Sequence, residues 1–561
     1  MTPVLKGFVA VPHGQVHFRY GGRGPVVVML HDSPRSSAIH VPDIEWLGEH
    51  FTVVALDAPG CGNSTPLPQA SPSIEEFAEA LGTTLTALGI ERCALYGFHA
   101  GAAIALQFAA AHPRRAALAI LEGLALPPEP ASPGFIARYL ENFEPTADGA
   151  HLARQWSRIL DLHRYFPWFD QSARTRLRLA LPDDAGLHEY ATDLFAAGRG
   201  WGGIHGAALL HRAAPCIPIL QSPAVFMCRE DDALCAHLDR VPQPLPARCS
   251  VERIPSQLPA WRTRLLALLQ HADLPRTAWS PPRATVATDA PGDRQRYVNL
   301  VHGQIRLRLH GRSASGSVPL LLLHDAPGAS CSLRPLAAGL ARDRLTIVPD
   351  LPGLGESHPL PYPSLGSYAT ALVETLEQLG TGPVDVFAAG LGACFAAALA
   401  AHHPAIVRRL VLDAVPMVRS RERRRYARSY CPPLTPDRHG AYLLRIWHQL
   451  RDAESNWPWF ERTAAAARVR DLDVDADRLT EVLGEVMKQL PSYGDAARAA
   501  LEASVRDILR SVHQPVLLLD VPGDVRYAGT RGAASRLAAS HVLPRPTTTA
   551  ALAEVLRGFL A

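Results

Sequence analysis

Residues 57–64 read DAPGCGNS and residues 350–357 read DLPGLGES, so one eight-residue pattern occurs twice, 293 positions apart. An apolar run precedes each copy, FTVVAL before the first and LTIVP before the second. Such runs are typical of strands that are buried on both faces. The shared glycines permit backbone angles that a Cβ would forbid, so each copy also fits a purely structural turn.

Four further pairs of segments recur in the same order at nearly the same interval. They are VVVMLHDSP and LLLLHDAPG (293 apart), AAAHP and AAHHP (291), FPWF and WPWF (291), and the acids Asp232 and Asp524 (292). Five ordered matches that differ by at most two residues in spacing indicate duplication of a whole domain. The length of 561 residues agrees with this, because single hydrophobic cores stop growing near ~250–300 residues.

A segment without hydrophobic periodicity and rich in Pro, Ala, Thr and Asp separates the two halves. We therefore predict a first domain over residues 1–270, a linker over 271–296 and a second domain over 297–561. In each half, apolar strand-like runs alternate with alanine-rich helical stretches, which predicts a mostly parallel sheet flanked by helices. Lid-like insertions are expected at about 130–215 and 418–510.

Composition narrows the classes of function. The formal net charge is only +3, and the basic and acidic residues are scattered, so no nucleic-acid partner is expected. The N-terminal segment lacks an apolar signal-peptide core, and no apolar stretch reaches bilayer length, so we expect a soluble, cytoplasmic protein without a membrane partner. Nine cysteines without metal-type spacing predict neither disulfides, zinc nor any other cofactor. The oligomeric state stays open.

One basic cluster departs from this even distribution. It consists of Arg419, Arg421, Arg423, Arg424 and Arg425. A solvated lid helix explains it more simply than a site for a polyanion.

Each half resembles the α/β-hydrolase family over nearly its whole length. The resemblance rests first on the paired D-x-P-G-x-G-x-S motif, and next on HDSP at His31 and HDAP at His324, where the family has His-Gly-x-Pro. In the family, backbone N–H groups of that segment help to form the oxyanion hole. The resemblance therefore implies that His31 and Asp32, and in the second half His324 and Asp325, lie at a pocket. Aspartate replaces the family's glycine in both halves.

The family's nucleophilic serine is absent from both halves. It belongs in G-x-S-x-G on a strained strand-to-helix turn, but the first half has GFHAG over residues 97–101 and the second has AAGLG over 388–392. His99 and Gly390 therefore occupy the nucleophile positions. The N–H of Ala100, which follows His99, is the expected second donor of an oxyanion hole.

The resemblance also locates the other two triad members. Asp232 and Asp524 follow the strand after the lid, where the family has its acid, although both also fit simple turn aspartates. The slots for the catalytic histidine read IPSQLPAW and LPRPTTTA and contain no histidine. Glu122 and Asp413 follow the sixth strand and are expected at the edge of the pocket.

Aromatic residues recur in both lid segments, with Trp168 in FPWF aligned with Trp459 in WPWF. Such residues are commonly core, but in this family the lid covers the substrate pocket. We therefore expect Trp168 to contribute to an apolar, aromatic pocket.

Two functions follow from these residues. The first is a serine-independent hydrolase or lyase that acts on a small apolar or carbonyl-containing ligand, with His99 and Asp232 as the catalytic residues. The N-terminus of the following helix is expected to lower the pKa of His99 below ~6.5, so that neutral imidazole acts as the base. The alternative is a non-catalytic pseudo-hydrolase that binds a ligand or a partner protein, with His99 packed inertly under the lid. In either case the second half is expected to be inactive.

Overall fold

The computed structural model describes residues 2–177, 179–282, 292–312, 317–470 and 474–561. Of the predicted linker, residues 283–291 lie outside the described residues, as do residue 178 of the first lid and residues 471–473 of the second. No helix in the described ranges combines the length and the apolar composition that a bilayer-crossing helix requires.

The chain separates into two compact units. The first comprises Met1–Glu144 and Arg154–Ala284, and the second comprises Pro145–Ala153 and Thr285–Ala561. The segment Pro145–Ala153 thus groups with the second unit although it precedes the rest of that unit in sequence. At the predicted linker, the last helix of the first unit ends at His271, and the first strand of the second begins at Arg294.

The first unit contains eight strands and eight α-helices within its described residues, and one of these helices, Ala150–Leu162, begins in the segment Pro145–Ala153 that groups with the second unit. Its strands are β1 (Leu5–Val11), β2 (Gly14–Gly22), β3 (Val26–Leu30), β4 (Thr52–Leu56), β5 (Cys93–Phe98), β6 (Ala116–Glu122), β7 (Ala224–Arg229) and β8 (Cys249–Ile254). Its helices are α1 (Val41–Leu47), α2 (Ile74–Ala87), α3 (Ala100–Ala111), α4 (Pro133–Tyr139), α5 (Ala150–Leu162), α6 (Asp184–Ala197), α7 (Gly202–Leu210) and α8 (Leu258–His271).

The second unit repeats the plan with eight strands and ten α-helices in its described part. The strands are β9 (Arg294–Leu300), β10 (Gly303–His310), β11 (Leu320–Leu323), β12 (Thr346–Pro349), β13 (Val384–Ala389), β14 (Val407–Asp413), β15 (Val516–Asp520) and β16 (Ser540–Pro544). The helices are α9 (Arg334–Leu340), α10 (Leu365–Leu379), α11 (Gly392–His402), α12 (Ser420–Tyr430), α13 (Ala441–Ser455), α14 (Ala476–Met487), α15 (Asp495–Glu502), α16 (Val505–Ile508), α17 (Thr530–Ala534) and α18 (Thr549–Leu560).

Both sheets have the same strand order. The first is β1-β2-β4-β3-β5-β6-β7-β8 and the second is β9-β10-β12-β11-β13-β14-β15-β16. In each, the first three strands of this order pair antiparallel and the remaining pairs are parallel. This confirms the predicted fold class, two α/β domains with mostly parallel sheets. The central strands are fully buried, which explains their continuous apolar sequences.

The strand register aligns the carboxyl ends of the parallel strands. In the first sheet Leu30 pairs with Gly97, and Phe98 pairs with Glu122. The residues that follow β3, β5 and β7 therefore meet at one edge of the sheet, where open α/β sheets bind their ligands. The second sheet repeats the register, with Ala389 opposite Asp413.

The repeated D-x-P-G motif closes a buried polar turn. The Asp57 carboxylate contacts His17 Nδ1 at 2.8 Å and accepts the backbone N–H of Ser37 at 2.7 Å. Asp350 likewise accepts hydrogen bonds from Arg306 Nε at 2.6 Å and from the N–H of Ser330 at 2.9 Å. Since both aspartates are fully buried, the motif acts here as a structural turn.

Candidate active site

A strained turn connects β5 to α3 in the first unit. His99 has φ 49° and ψ −107°, a left-handed backbone conformation that is costly for a residue with a side chain. The two glycines of GFHAG are required here, because a Cβ on Gly97 would overlap the Gly101 carbonyl and one on Gly101 would overlap that of Leu30. The turn thus has the form of a nucleophile elbow and holds His99 at its apex.

Two carboxylates contact the His99 imidazole. Nε2 lies 2.8 Å from Asp232 Oδ2, and Nδ1 lies 3.4 Å from Asp32 Oδ2. Gly123 makes this arrangement possible, because a Cβ at that position would overlap the imidazole. The side chains of His99 and Asp32 are 26% and 24% exposed, whereas that of Asp232 is only 8% exposed. Part of the His99 and Asp32 side chains is therefore accessible to solvent, while Asp232 is largely covered.

The charge of His99 differs from the sequence expectation. Burial lowers the pKa of His99, but the charge of Asp32 and hydrogen bonds to Asp232 and Asp32 outweigh it and raise the pKa to about 10. The expected lowering by the helix N-terminus is therefore wrong, because two carboxylates outweigh the partial charge of a helix end. Burial raises the pKa values of Asp32 and Asp232, yet pairing with His99 lowers both overall. At neutral pH the site holds an imidazolium between two carboxylates.

His31 and His324 have structural contacts. His31 Nε2 accepts the backbone N–H of Ala58 at 2.9 Å, which leaves the ring proton on Nδ1 to donate to the Asp32 carbonyl at 2.6 Å. His324 makes the same two contacts with Leu351 and Asp325, at 3.1 and 2.7 Å. Both rings are buried, and burial lowers both pKa values. Their expected place at the pocket is corrected: they fix the loop that presents Asp32 or Asp325.

The second unit has a different elbow. Gly390 has φ 56°, and a Cβ at this position would overlap the Asp325 carboxylate. Asp325 Oδ1 accepts the backbone N–H of Leu391 at 2.7 Å, and Asp325 Oδ2 lies 2.6 Å from the Arg526 guanidinium. Leu391 corresponds to Ala100, the expected oxyanion donor. The protein's own carboxylate thus fills this position in the second unit.

The two acids differ in their partners. Asp232 Oδ1 accepts the N–H of Leu234 at 2.8 Å, which leaves Oδ2 for His99. Asp524 Oδ1 accepts the N–H of Arg526 at 2.9 Å, and its Oδ2 lies 3.3 Å from Arg468 Nε. Both acids therefore have a cationic partner, but the partner in the second unit is an arginine of the lid segment.

Glu122 is enclosed in the core. It is fully buried and accepts hydrogen bonds from Tyr96 Oη at 2.7 Å, Trp261 Nε1 at 2.6 Å and Arg229 Nε at 2.7 Å. Its counterpart Asp413 is also buried and binds Tyr527 and Arg545, each at 2.8 Å. Both carboxylates are buried and bound by donors of the protein itself. The expectation that they lie at the edge of the pocket is therefore wrong.

Trp168 packs against other lid residues, and the lid is linked to the site through His205. Trp168 Nε1 donates to the Tyr139 carbonyl at 2.9 Å, and the buried guanidinium of Arg158 lies 5.1 Å from the Trp168 ring centroid. Tyr139 stacks on His205 with ring centroids 5.1 Å apart. Burial raises the pKa of Asp32, and the charge of His205 contributes to its net lowering after the larger contribution of His99. Sequence reasoning missed Tyr139 and His205, since no motif marks them.

The comparisons with known proteins agree with this fold. The family model described as alpha/beta hydrolase fold matches residues 25–243 and 318–431, more than half of the chain. The chain therefore belongs to the α/β-hydrolase family.

Two curated relatives match a short segment of the chain. A protein of Mycobacterium phage D29 named as a non-heme haloperoxidase is 35% identical over 109 residues, 18% of this chain and 39% of the relative. A protein of Escherichia coli O44:H18 named as the carbamate hydrolase RutD is 33% identical over 89 residues, 16% of this chain and 33% of the relative. The chain thus spans well under half the length of these relatives.

Solved structures similar to about half of the chain include two hydrolases. The enol-lactonase from Burkholderia xenovorans LB400 is 18% identical, with a TM-score of 0.36, over 47% of this chain and 96% of that one. An epoxide hydrolase from an endophytic Streptomyces is 16% identical, with a TM-score of 0.39, over 48% of this chain and 95% of that one.

Proposed function

We propose that the first unit is a serine-independent hydrolase, or a lyase, that acts on a small carbonyl-containing molecule through His99. The observation that carries this proposal is the chain of contacts Asp32–His99–Asp232 at the apex of a strained elbow. Three titratable groups with displaced pKa values at the ligand-binding edge of an α/β sheet are a common feature of active sites. The name carbamate hydrolase, which one relative bears, is compatible with a carbonyl substrate.

The charge distribution suggests a role for each residue. Nε2 of the His99 imidazolium is held by Asp232, but Nδ1 lies 3.4 Å from Asp32, so the Nδ1–H can turn to another acceptor. This Nδ1–H and the N–H of Ala100 would donate to the substrate's carbonyl oxygen and stabilise its developing negative charge. The first N–H groups of a helix have no acceptor within that helix, which leaves the Ala100 N–H available for this role. Asp32 would accept a proton, from water in hydrolysis or from carbon in a lyase reaction. Asp232 would fix the orientation of the imidazole.

The second unit supports the alternative of a pseudo-hydrolase for that half alone. Gly390 offers no functional side chain, and the Asp325–Arg526 pair takes the space of the missing one. An oxyanion hole that already holds a carboxylate is closed to a substrate oxygen. We therefore assign the proposed catalysis to the first unit.

The test is a screen of the full chain against esters, lactones and carbamates, followed by kcat/KM and melting temperature for single variants. His99→Gln and Asp32→Asn should each lower kcat/KM by roughly 10²–10⁴-fold, the usual contribution of a positioned acid or base. Asp232→Asn should also lower it, while its counterpart Asp524→Asn serves as the matched control and should retain the activity. Full activity in a folded His99→Gln protein would remove the first unit's elbow from the mechanism.

The pH profile provides a second readout. The proposed reaction needs His99 protonated and Asp32 ionised, so kcat/KM should fall as the pH rises towards about 10, the pKa of His99. A mechanism with neutral imidazole as the base would give the opposite result, an activity that rises with pH through the pKa of His99.

A further inference from the structure

The second unit contains a cavity of about 540 Å³ away from its elbow. It is lined by residues 416–421 and 423, at the start of α12, and by residues 500, 501 and 503–507, around the start of α16. This volume falls in the range of small-molecule sites, about 300–1,000 Å³. The residues of the Asp32–His99–Asp232 site do not belong to this lining.

Positive charge dominates the lining. Four arginines line the cavity, Arg419, Arg421, Arg423 and Arg506, against a single carboxylate, Asp507. Asp507 is already bound by Arg510, whose Nη1 lies 2.9 Å from Oδ1. A hydrogen bond from Ser504 and then the charges of Arg510, Arg423 and Arg506 lower the pKa of Asp507. The one acidic side chain therefore neutralises little of the cavity's charge.

These arginines lack carboxylate partners. In the described part of the chain, no carboxylate oxygen lies within 4.0 Å of a guanidinium nitrogen of Arg419, Arg421, Arg423 or Arg506. By contrast, Arg425 on the same helix pairs with Glu461. The backbone N–H groups of Ser420 and Arg421 at the start of α12 add further donors at this edge, whereas those of Glu422 and Arg423 already donate to the Arg419 carbonyl.

The first unit provides an internal comparison. Tyr430 and Tyr139 correspond at an interval of 291 residues, and each carbonyl accepts the indole N–H of the aligned tryptophan, Trp459 or Trp168. At the same interval the four arginines correspond to Pro128, Pro130, Ser132 and Pro215. None of these is charged. The shared fold therefore does not require these arginines, which occur only in the half whose elbow has no functional side chain.

We propose that this cavity is a binding site for a small organic molecule with several negative charges, carried by phosphate or carboxylate groups. Arginine suits such a ligand, because its planar guanidinium binds both oxyanions through paired hydrogen bonds. The concave shape favours a small molecule over an extended polyanion. This site is independent of the catalysis proposed for the first unit.

The test is isothermal titration calorimetry of the full chain at low ionic strength, with inorganic pyrophosphate in one series and citrate in another. We expect one of the two probes to bind at one site per chain, and its identity distinguishes a phosphate from a carboxylate ligand. The triple variant Arg419→Gln, Arg421→Gln, Arg506→Gln should weaken binding by roughly tenfold for each arginine removed. Binding should also weaken with added salt.

A matched triple variant controls for the loss of three charges. Arg424→Gln, Arg428→Gln, Arg445→Gln changes three exposed arginines of α12 and α13 outside the lining and should bind the probe as the wild type does. Equal weakening in both triples would overturn the proposal, as would the absence of binding by either probe at millimolar concentration. Tighter binding of a DNA duplex than of either probe, lost in the first triple, would replace the small molecule by a nucleic acid.

Discussion

His99 Nε2 lies 2.8 Å from Asp232 Oδ2, so the residue at the elbow binds the acid of its domain directly. In a serine hydrolase a separate histidine lies between these two positions. Here one imidazole takes both places, and its second nitrogen faces Asp32 at 3.4 Å. The site therefore carries an ionised pair where the usual mechanism has a neutral serine.

The first prediction concerns the protonation of this ring. NMR titration of the imidazole should show His99 still protonated at neutral pH, with a pKa of about 10. Asp232→Asn should lower this pKa, because it removes a negative charge and leaves the desolvation in place. Asp524→Asn should not change it. A wild-type His99 resonance that titrates near the unperturbed ~6.5 would contradict the ion-pair geometry.

The same pairing predicts a pH dependence of stability. The His99 pKa is raised by folding, so its contribution to the free energy of unfolding is fully present below the unfolded pKa of ~6.5 and is lost as pH rises through about 10. The difference in that free energy between wild type and His99→Gln should accordingly shrink between these pH values. Chemical denaturation at a series of pH values measures it. A difference that grows with pH would contradict the prediction.

Much of this fold could be predicted from the sequence, and the reason is physical. The buried strands require continuous apolar runs, and the turn at Asp57 and Asp350 requires glycines at fixed spacing, so both leave strong local patterns. The duplication doubled each signal. The elbow positions of His99 and Gly390 were predicted from the repeated sequence pattern, and both residues have a positive φ in the structure.

The electrostatics of the site could not be predicted in the same way. The pKa of His99 depends on Asp32 and Asp232, which lie 67 and 133 positions away in sequence and meet the ring only through the strand order. Arg526 was missed for a similar reason. It stands two residues after Asp524, where the first unit has Leu234, and compensates Asp325 in place of the missing elbow histidine. The replacement of a histidine by an arginine as the partner of this aspartate can be recognised only from the fold, which brings Gly390, Asp325 and Arg526 together.

Gly390 provides the next prediction. Gly390→Ser should lower the unfolding free energy of the second unit by about 1–3 kcal/mol, because φ is 56° and the new Cβ would overlap the Asp325 carboxylate. In the double variant with Asp325→Gly the overlap disappears, so the two changes should be non-additive. Denaturant unfolding of the four proteins of this cycle measures the coupling. Strictly additive effects would show that Asp325 does not occupy this space.

Glu122 tests the assignment of the buried acids to the core. Glu122→Gln keeps the size of the side chain but leaves Arg229 without its counter-charge, so we expect a loss of about 2–4 kcal/mol in the unfolding free energy. Glu129→Gln, at an exposed position nearby, should stay within about 0.5 kcal/mol of the wild type. If Glu122→Gln left stability unchanged and altered only ligand affinity, the residue would belong to the pocket after all.

The last prediction addresses the missing serine. A fluorophosphonate probe should not label the wild-type protein, because it requires an activated nucleophilic serine and the elbows hold His99 and Gly390. His99→Ser should also remain unlabelled, since residues 255–257 between β8 and α8 contain no histidine to serve as its base. A known serine hydrolase under the same conditions is the positive control. Stoichiometric labelling of the wild type, mapped to any serine by mass spectrometry, would support an ordinary serine mechanism and contradict the catalytic role proposed for His99. Labelling of His99→Ser alone would show instead that Asp32 or Asp232, which pair with His99 in the wild type, can activate a hydroxyl at the elbow.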